Sequence, residues 1–513
     1  MNVFSGKNAL KDFYDPDKCP PLPLVELPSH PFEADGVEIY AKMLTMLPAA
    51  NVKSLPAANM LLKAVESGEI SDDTKRIVEW SSGNTVISLA ILSRIHGLAR
   101  EEGVSAYISN KNPESKMQLL RFFDLELTLF GGPTQVTSVD VDGGIQAAIN
   151  DGKRPGYYNP SQYTSARNPE AHIRWTGPQL LKQLPDVSVF ASGLGTAGTI
   201  TGVGTYLRSM KPDIVNVGVF IAPGDKVPGP RPMDLMSLPA EMDLPWKDVI
   251  DTAEFATSFD SYRTSLDLCR QGLLVGPSSG LALVGLYHYL EKVKANGELE
   301  KLRGPDGKVK CAFICCDQPF QYISEYFDKL PDSFFPRIHN QELLEVDQYA
   351  YNTLWSISEE KALTKVKAED AIILDLRDTC DFDSVRVSGS LNLSLGCREE
   401  PNPFKSPPVL HRQWLALDKR LRADDAEFGR RLFTSDRPII INSYDGRTAL
   451  VASSILRKRG AEAYAVVDGI NLCPESGFLL DYGTPFSKFL IQVNRIDLES
   501  GKTSVFEYER RAM

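Results

Sequence analysis

The first 335 residues of this chain are predicted to form an α/β fold with a mostly parallel sheet, followed by a separate, smaller α/β unit. Three observations predict it. Short β-branched runs alternate with helical patterns, glycine-rich turns sit where a strand hands over to a helix, and an aperiodic stretch after residue 330 divides two such series.

From the N-terminus, residues 1–7 lack a basic-then-apolar signal pattern, and Asp12, Asp15 and Asp17 are foreign to an Arg-rich transit peptide. The cytoplasm is the expected compartment, with the mitochondrion as the alternative. The most apolar helical stretch, 86–99, is interrupted by Arg94 and His96, so no run reaches the roughly 18 apolar residues of a membrane span. A strand at 187–190, a glycine-rich turn, a helix to Met210 and a strand at 215–221 form a βαβ signature. A polar loop at 296–307 precedes a buried strand at 311–316. Pro, Asp, Glu and His crowd 331–349, where a linker is set at 336–349, between a domain at 1–335 and another at 350–513. The second domain has β-rich runs at 371–377, 391–395 and 438–442, then a helix at 448–459 and a strand at 463–467.

The 513 residues are 42% hydrophobic and 24% charged, which suits full globular cores. A net charge of -11 argues against nucleic-acid or anionic-membrane partners and leaves small molecules. The eight cysteines form no C-x-x-C pair, and Cys311, Cys315 and Cys316 read as small core residues of a protein in a reducing compartment. The six histidines show no metal-ligand spacing, and His96 reads as a core residue, so no metal is expected.

Four segments carry chemistry together. Lys53 alone would be a solvated surface charge. It is followed by Ser81-Ser82-Gly83-Asn84-Thr85, by Gly193-Leu194-Gly195-Thr196-Ala197-Gly198-Thr199 and by Gly276-Pro277-Ser278-Ser279-Gly280. A lysine-bound pyridoxal phosphate needs an amine, a phosphate cradle and partners for the ring nitrogen and ring hydroxyl. The second glycine-rich segment, opening a helix, offers backbone N–H groups and a positive helix end to a dianion. Gly193, Gly195 and Gly198 also spell G-x-G-x-x-G, but a dinucleotide site wants an acidic residue at the end of the next strand, and Asp225 is a poor candidate.

On these residues the first 335 positions resemble the cysteine synthase and cystathionine β-synthase family, pyridoxal-phosphate enzymes of fold type II that share the two-subdomain fold of the tryptophan synthase β chain. Gln162-Tyr163, Asn168-Pro169, His172 and Thr176-Gly177-Pro178 extend the match. The resemblance implies that Lys53 forms the Schiff base and acts as general base. It implies that Ser81, Ser82, Gly83, Thr85 and Gln162 bind substrate, that Asn84 meets the ring oxygen, that Gly195, Thr196, Ala197, Gly198 and Thr199 cradle the phosphate, and that Ser278 meets the pyridine nitrogen. A hydroxyl there makes a weaker electron sink and favours loss of a β-leaving group. The implied reaction is β-replacement on an activated serine such as O-acetylserine, through an aminoacrylate, with a small nucleophile such as sulfide, in a homodimer. The leaving group is open between acetate, phosphate and water. The alternatives are β-elimination, as in serine and threonine dehydratases, and a cofactor-binding scaffold without turnover. Ser54-Leu55 after the lysine, Val86 and Ala197 depart from the family pattern.

Residues 350–513 resemble a rhodanese domain, with Leu374-Asp375-Leu376-Arg377 matching its L-D-V-R motif and 442–448 its active loop. Asn442 stands where the sulfur-carrying cysteine belongs, and an amide forms no persulfide. Cys473 lies too far on to substitute. The loop and Arg447 still suggest an anion site with a regulatory or docking role, and a domain that only stabilises or dimerises the chain is the equal alternative.

Overall fold

The structure, a computed structural model, describes residues 3–483 apart from 132–139, 141, 238–243, 348–351, 370, 397, 423, 426 and 434–435. Cys397 and the end of the expected second domain, 484–513, therefore lie outside the described residues. The chain forms two compact units, 1–335 and 336–513.

The strands of the first unit are β1 (Leu24–Glu26), β2 (Val37–Met43), β3 (Arg76–Trp80), β4 (Gly103–Ser109), β5 (Glu126–Phe130), β6 (Tyr157–Tyr158), β7 (Val187–Gly193), β8 (Val215–Ile221), β9 (Thr252–Ala256) and β10 (Val309–Cys315). They make two sheets, β1-β2-β10-β7-β8-β9 and β5-β4-β3-β6. Every pairing is parallel except β1 with β2. Parallel sheets are covered on both faces, and β8 and β10 accordingly read as near-continuous apolar runs, buried along most of their length.

The helix Pro277–Ala295 packs across the larger sheet, burying Leu281, Leu283, Leu286 and Leu290 with Val217 and Val219 of β8. Its Pro277 opens the first turn, where a missing N–H costs nothing. Gly280 lets this helix approach Ser258–Arg270, since a Cβ there would come 2.1 Å from the Ser261 carbonyl oxygen. The apolar stretch after residue 84 folds as the helix Asn84–His96, ended by Gly97 at φ 72°. His96 is half-buried at its last position. The polar loop 296–307 contains a short turn, Leu299–Leu302. Of the cysteines assigned to the core, Cys311 and Cys315 are fully buried in β10. Cys316 corrects part of that reading: the strand ends one residue earlier, and this cysteine packs against the core while only half-buried.

The second unit carries β11 (Ser356–Ile357), β12 (Ile372–Asp375), β13 (Val385–Val387), β14 (Leu391–Asn392), β15 (Ile439–Asn442), β16 (Ala463–Val466) and β17 (Leu480–Tyr482). Five form a parallel sheet, β11-β16-β15-β12-β14, and β13 pairs antiparallel with β17. Leu374, Ile439, Ile441, Leu456 and Ala465 build its core. Residues 336–349 belong to this unit: Val346 packs on that core and Glu345 bonds His411 at 2.9 Å.

Candidate functional site

The parallel strands of the first unit point their carboxyl ends at one cavity of about 200 Å³. Its wall contains Lys53, the loop Ser81-Ser82-Gly83-Asn84-Thr85, Gln162, the turn Gly195-Thr196-Ala197-Gly198-Thr199 and Ser278, so every candidate site residue of the sequence converges there. Asp225 does not; its carboxylate accepts the Ser258 hydroxyl at 2.8 Å, which removes the acidic partner a dinucleotide would need.

Lys53 stands directly before the helix Ser54–Glu66, on a turn fixed from three sides. Asn51 Oδ1 accepts the Lys53 backbone N–H at 3.0 Å and the Ser88 hydroxyl at 3.1 Å. The Val52 N–H donates to the Cys316 carbonyl at 2.6 Å, tying the turn to the end of β10. The amine donates to Thr196 Oγ1 at 3.4 Å. Burial lowers its pKa, with the nearby Asp317 carboxylate opposing, so the neutral amine needed of a nucleophile and base is favoured.

The Gly195–Thr199 turn is shaped by close approach. A Cβ on Gly195 would come 2.6 Å from the Gly229 carbonyl oxygen, and one on Gly198 would come 2.1 Å from Asn168 Oδ1. Ala197 adopts φ 63°, a left-handed conformation that glycine enters freely and alanine at a cost. The turn opens the helix Gly198–Met210, whose first N–H groups lack intrahelical acceptors. Behind it, Asn168 Nδ2 donates to Thr196 Oγ1 at 3.0 Å, and His172 joins Thr199 at 3.2 Å and Thr176 at 2.9 Å. Burial, with nearby Lys53 adding, lowers the His172 pKa to about 3, so the ring is a neutral bridge. This cradle of N–H groups and hydroxyls fits a phosphate dianion, and the amine beside it fits an aldehyde.

The serine-rich loop lies opposite. Thr85 donates to Gln162 Oε1 at 2.7 Å, and Gln162 Nε2 donates to the Trp80 carbonyl at 3.0 Å, so the two expected substrate-binding elements hold each other. Beneath them, Glu79 is 2% exposed and accepts the N–H groups of Trp80 and Gln162 at 3.0 and 3.2 Å. Burial pushes its carboxyl up to about 8.

Cys316, Asp317, Lys116 and Arg231 are among the cavity residues that escape a sequence reading. Cys316 and Asp317 follow β10, and an acidic residue closing an apolar parallel strand was a usable signal for the second. Cys316 is half-buried in the cavity wall, and burial raises its thiol to about 12, which leaves it protonated. Lys116 lies 5.6 Å over the Tyr322 ring, and burial lowers its pKa. Nothing local in its helix, Glu114–Phe122, marks it. Arg231, in a Pro-Gly-Pro-Arg-Pro turn, is 5% exposed and stacks 4.6 Å over Tyr163. Among the described residues no carboxylate pairs with it.

In the second unit, Arg377 grips Asp375 with Nη2 at 2.7 Å and Nε at 3.0 Å, a buried fork that also reaches the Val385 carbonyl. Asn442 ends β15, and its Oδ1 accepts the Ile470 N–H at 2.8 Å. In the loop, Asp445 Oδ1 accepts the Arg447 N–H at 3.0 Å and Ser443 Oγ accepts from Ala449 at 3.3 Å. Its own acceptors thus occupy donors that an anion would need, which weakens the expectation of an anion site. No group able to hold a metal ion and no helix long and apolar enough to cross a membrane occurs among the described residues.

Comparison with known proteins matches residues 18–301 to the family described as pyridoxal-phosphate dependent enzyme. Cysteine synthase B of Escherichia coli is 28% identical over 292 residues, 56% of this chain and 88% of that protein. Cysteine synthase of Staphylococcus aureus is 30% identical over 276 residues, 52% of this chain and 83% of that protein. The crystal structure of cysteine synthase from Entamoeba histolytica shares the fold, with a TM-score of 0.50 at 20% identity over 63% of this chain and 95% of that one.

Proposed function

Since the chain belongs to the pyridoxal-phosphate dependent enzymes and matches cysteine synthases through most of their length, we infer that it performs β-replacement on a serine derivative, with O-acetylserine a substrate and sulfide a nucleophile. The observation that carries this is the convergence of Lys53, the serine-rich loop, the Gly195–Thr199 turn and Ser278 on one cavity.

Pyridoxal 5'-phosphate bound there supplies an electron sink for the carbanion at the substrate's α-carbon. Gly195, Thr196, Ala197, Gly198 and Thr199 would hold its phosphate, Asn84 its ring oxygen and Ser278 its pyridine nitrogen. Lys53 would anchor the group, take the α-proton on its neutral amine and return it to the α-carbon once the nucleophile has added, so that the amine is neutral again when product leaves. Ser81, Ser82, Gly83 and Thr85, with Gln162, orient the substrate carboxylate so that the α-proton faces that amine. Arg231 adds a preference. A buried guanidinium facing the cavity, with no carboxylate partner among the described residues, favours an anionic leaving group, so among the options acetate or phosphate is preferred to water.

A homodimer and a cytoplasmic location belong to the same proposal, supported by the family resemblance. The second unit is read as rhodanese-like, supported by its five-stranded parallel sheet, the Asp375–Arg377 pair and the strand-loop-helix around Asn442. Its role is docking or regulation, since Asn442 carries no sulfur.

The test is product analysis with purified protein, pyridoxal phosphate, O-acetylserine and sulfide. Cysteine without pyruvate supports replacement, whereas pyruvate and ammonia in equal amounts, unaffected by sulfide, would assign elimination instead.

A further inference from the structure

Asp317 follows β10 and is 2% exposed. Its Oδ2 accepts three hydrogen bonds, from Asn84 Nδ2 at 2.6 Å, Tyr322 OH at 2.7 Å and Gln321 Nε2 at 3.2 Å. Its Oδ1 meets no donor among the described residues. A Cβ on Gly276 would come 2.2 Å from that oxygen, so a glycine clears the space it fills. Burying a half-satisfied carboxylate destabilises a fold, and an apolar residue of similar size would pack there at less cost.

The beneficiary is Asn84. Its amide is clamped at both ends, with Nδ2 donating to Asp317 and Oδ1 accepting Gln321 Nε2 at 3.0 Å. A free amide has two nearly equivalent settings, and only one presents N–H groups in a given direction. With the carboxylate on Nδ2, the setting is fixed and one N–H remains to donate into the cavity. Asp317 serves two more segments through its backbone. It bridges Asn51, beside Lys53, and its carbonyl accepts the Gly276 N–H at 2.8 Å, at the start of the Ser278 turn.

We propose that Asp317 is a positioning residue of the cofactor site, fixing the Asn84 amide so that its remaining N–H donates to the ring oxygen of pyridoxal phosphate. The inference rests on the reading that Asn84 faces that oxygen.

The test is a double-mutant cycle on the full chain, reading the dissociation constant of pyridoxal phosphate by equilibrium dialysis and the position of the bound cofactor's visible band. Asp317→Ala is expected to weaken binding about tenfold and shift the band, and to do neither when added to Asn84→Ala. Asp317→Asn, which keeps an acceptor oxygen for the three donors, retains most of the affinity. Equal losses with and without Asn84, or unchanged readouts for Asp317→Ala where Asn84→Ala shifts them, would overturn the proposal. If Asp317→Ala does not fold, Gln321→Ala removes the other clamp of the same amide, and additivity with Asn84→Ala is the contradicting result. An Asn84→Ala variant with unchanged readouts would instead refute the reading of Asn84 itself, and the inference with it.

Discussion

The amine of Lys53 donates to Thr196 Oγ1 at 3.4 Å, and Thr196 is held from behind by Asn168 Nδ2 at 3.0 Å. The anchor for an aldehyde and the cradle for a phosphate are therefore one hydrogen-bonded assembly, built from the end of β7 and the turn after β2.

That assembly makes the turn intolerant at one position and improvable at the next. Gly198→Ala places a methyl 2.1 Å from Asn168 Oδ1, a side chain with no room to give, and is expected to weaken pyridoxal phosphate binding at least tenfold. Ala197→Gly relieves the left-handed conformation at φ 63°, and is expected to raise the melting temperature by about 2 °C for roughly 1 kcal/mol of strain removed. Cofactor titration and thermal melts check the pair.

Arg231→Gln separates leaving groups. If the buried guanidinium receives the departing anion, kcat/KM for O-acetylserine and O-phosphoserine falls roughly thirtyfold, the worth of a charge-assisted hydrogen bond, while that for serine, which loses water, falls less than threefold. Equal losses for all three substrates would place Arg231 in the architecture of the Tyr163 wall.

Glu79 predicts a pH dependence of stability. Its carboxyl titrates near 8 in the folded chain against a reference of 4.5. Between those values the folded state retains a proton that the unfolded state loses, so this group's contribution falls as pH rises from about 4.5 to 8 and is level on either side. Glu79→Gln should flatten the decline of denaturation midpoint across that window and raise stability at pH 8 by a few kcal/mol, on the order set by the shift.

The second unit predicts an absence of chemistry. With Asn442 at the end of β15 and Asp445 accepting the Arg447 N–H, the full chain should transfer no sulfur from thiosulfate to cyanide. Cys473→Ser should change nothing, and a measurable rate abolished by that substitution would reverse the reading.

How much the sequence revealed follows from how local each signal is. The Gly195–Thr199 turn and the Ser278 turn are legible because backbone approach demands glycine at fixed spacing, and β10 because a parallel strand buried on both faces must be apolar. Cys316 was misassigned because an apolar run does not reveal where its strand ends. Lys116 and Arg231 were invisible for another reason. Each is a lone cation in a polar segment, and only the tertiary fold turns it inward. The interlocked amides of Asn84 and Gln321 around Asp317 span more than 230 residues, a separation no local pattern encodes.

The central claim is tested most directly by the absorbance spectrum of purified protein with pyridoxal phosphate, before and after O-acetylserine, beside a Lys53→Ala control. The account predicts a visible protein-bound band that O-acetylserine shifts in the native chain and not in the variant. A native chain that forms no such band with excess cofactor, or a Lys53→Ala chain whose band responds as the native one does, would contradict it.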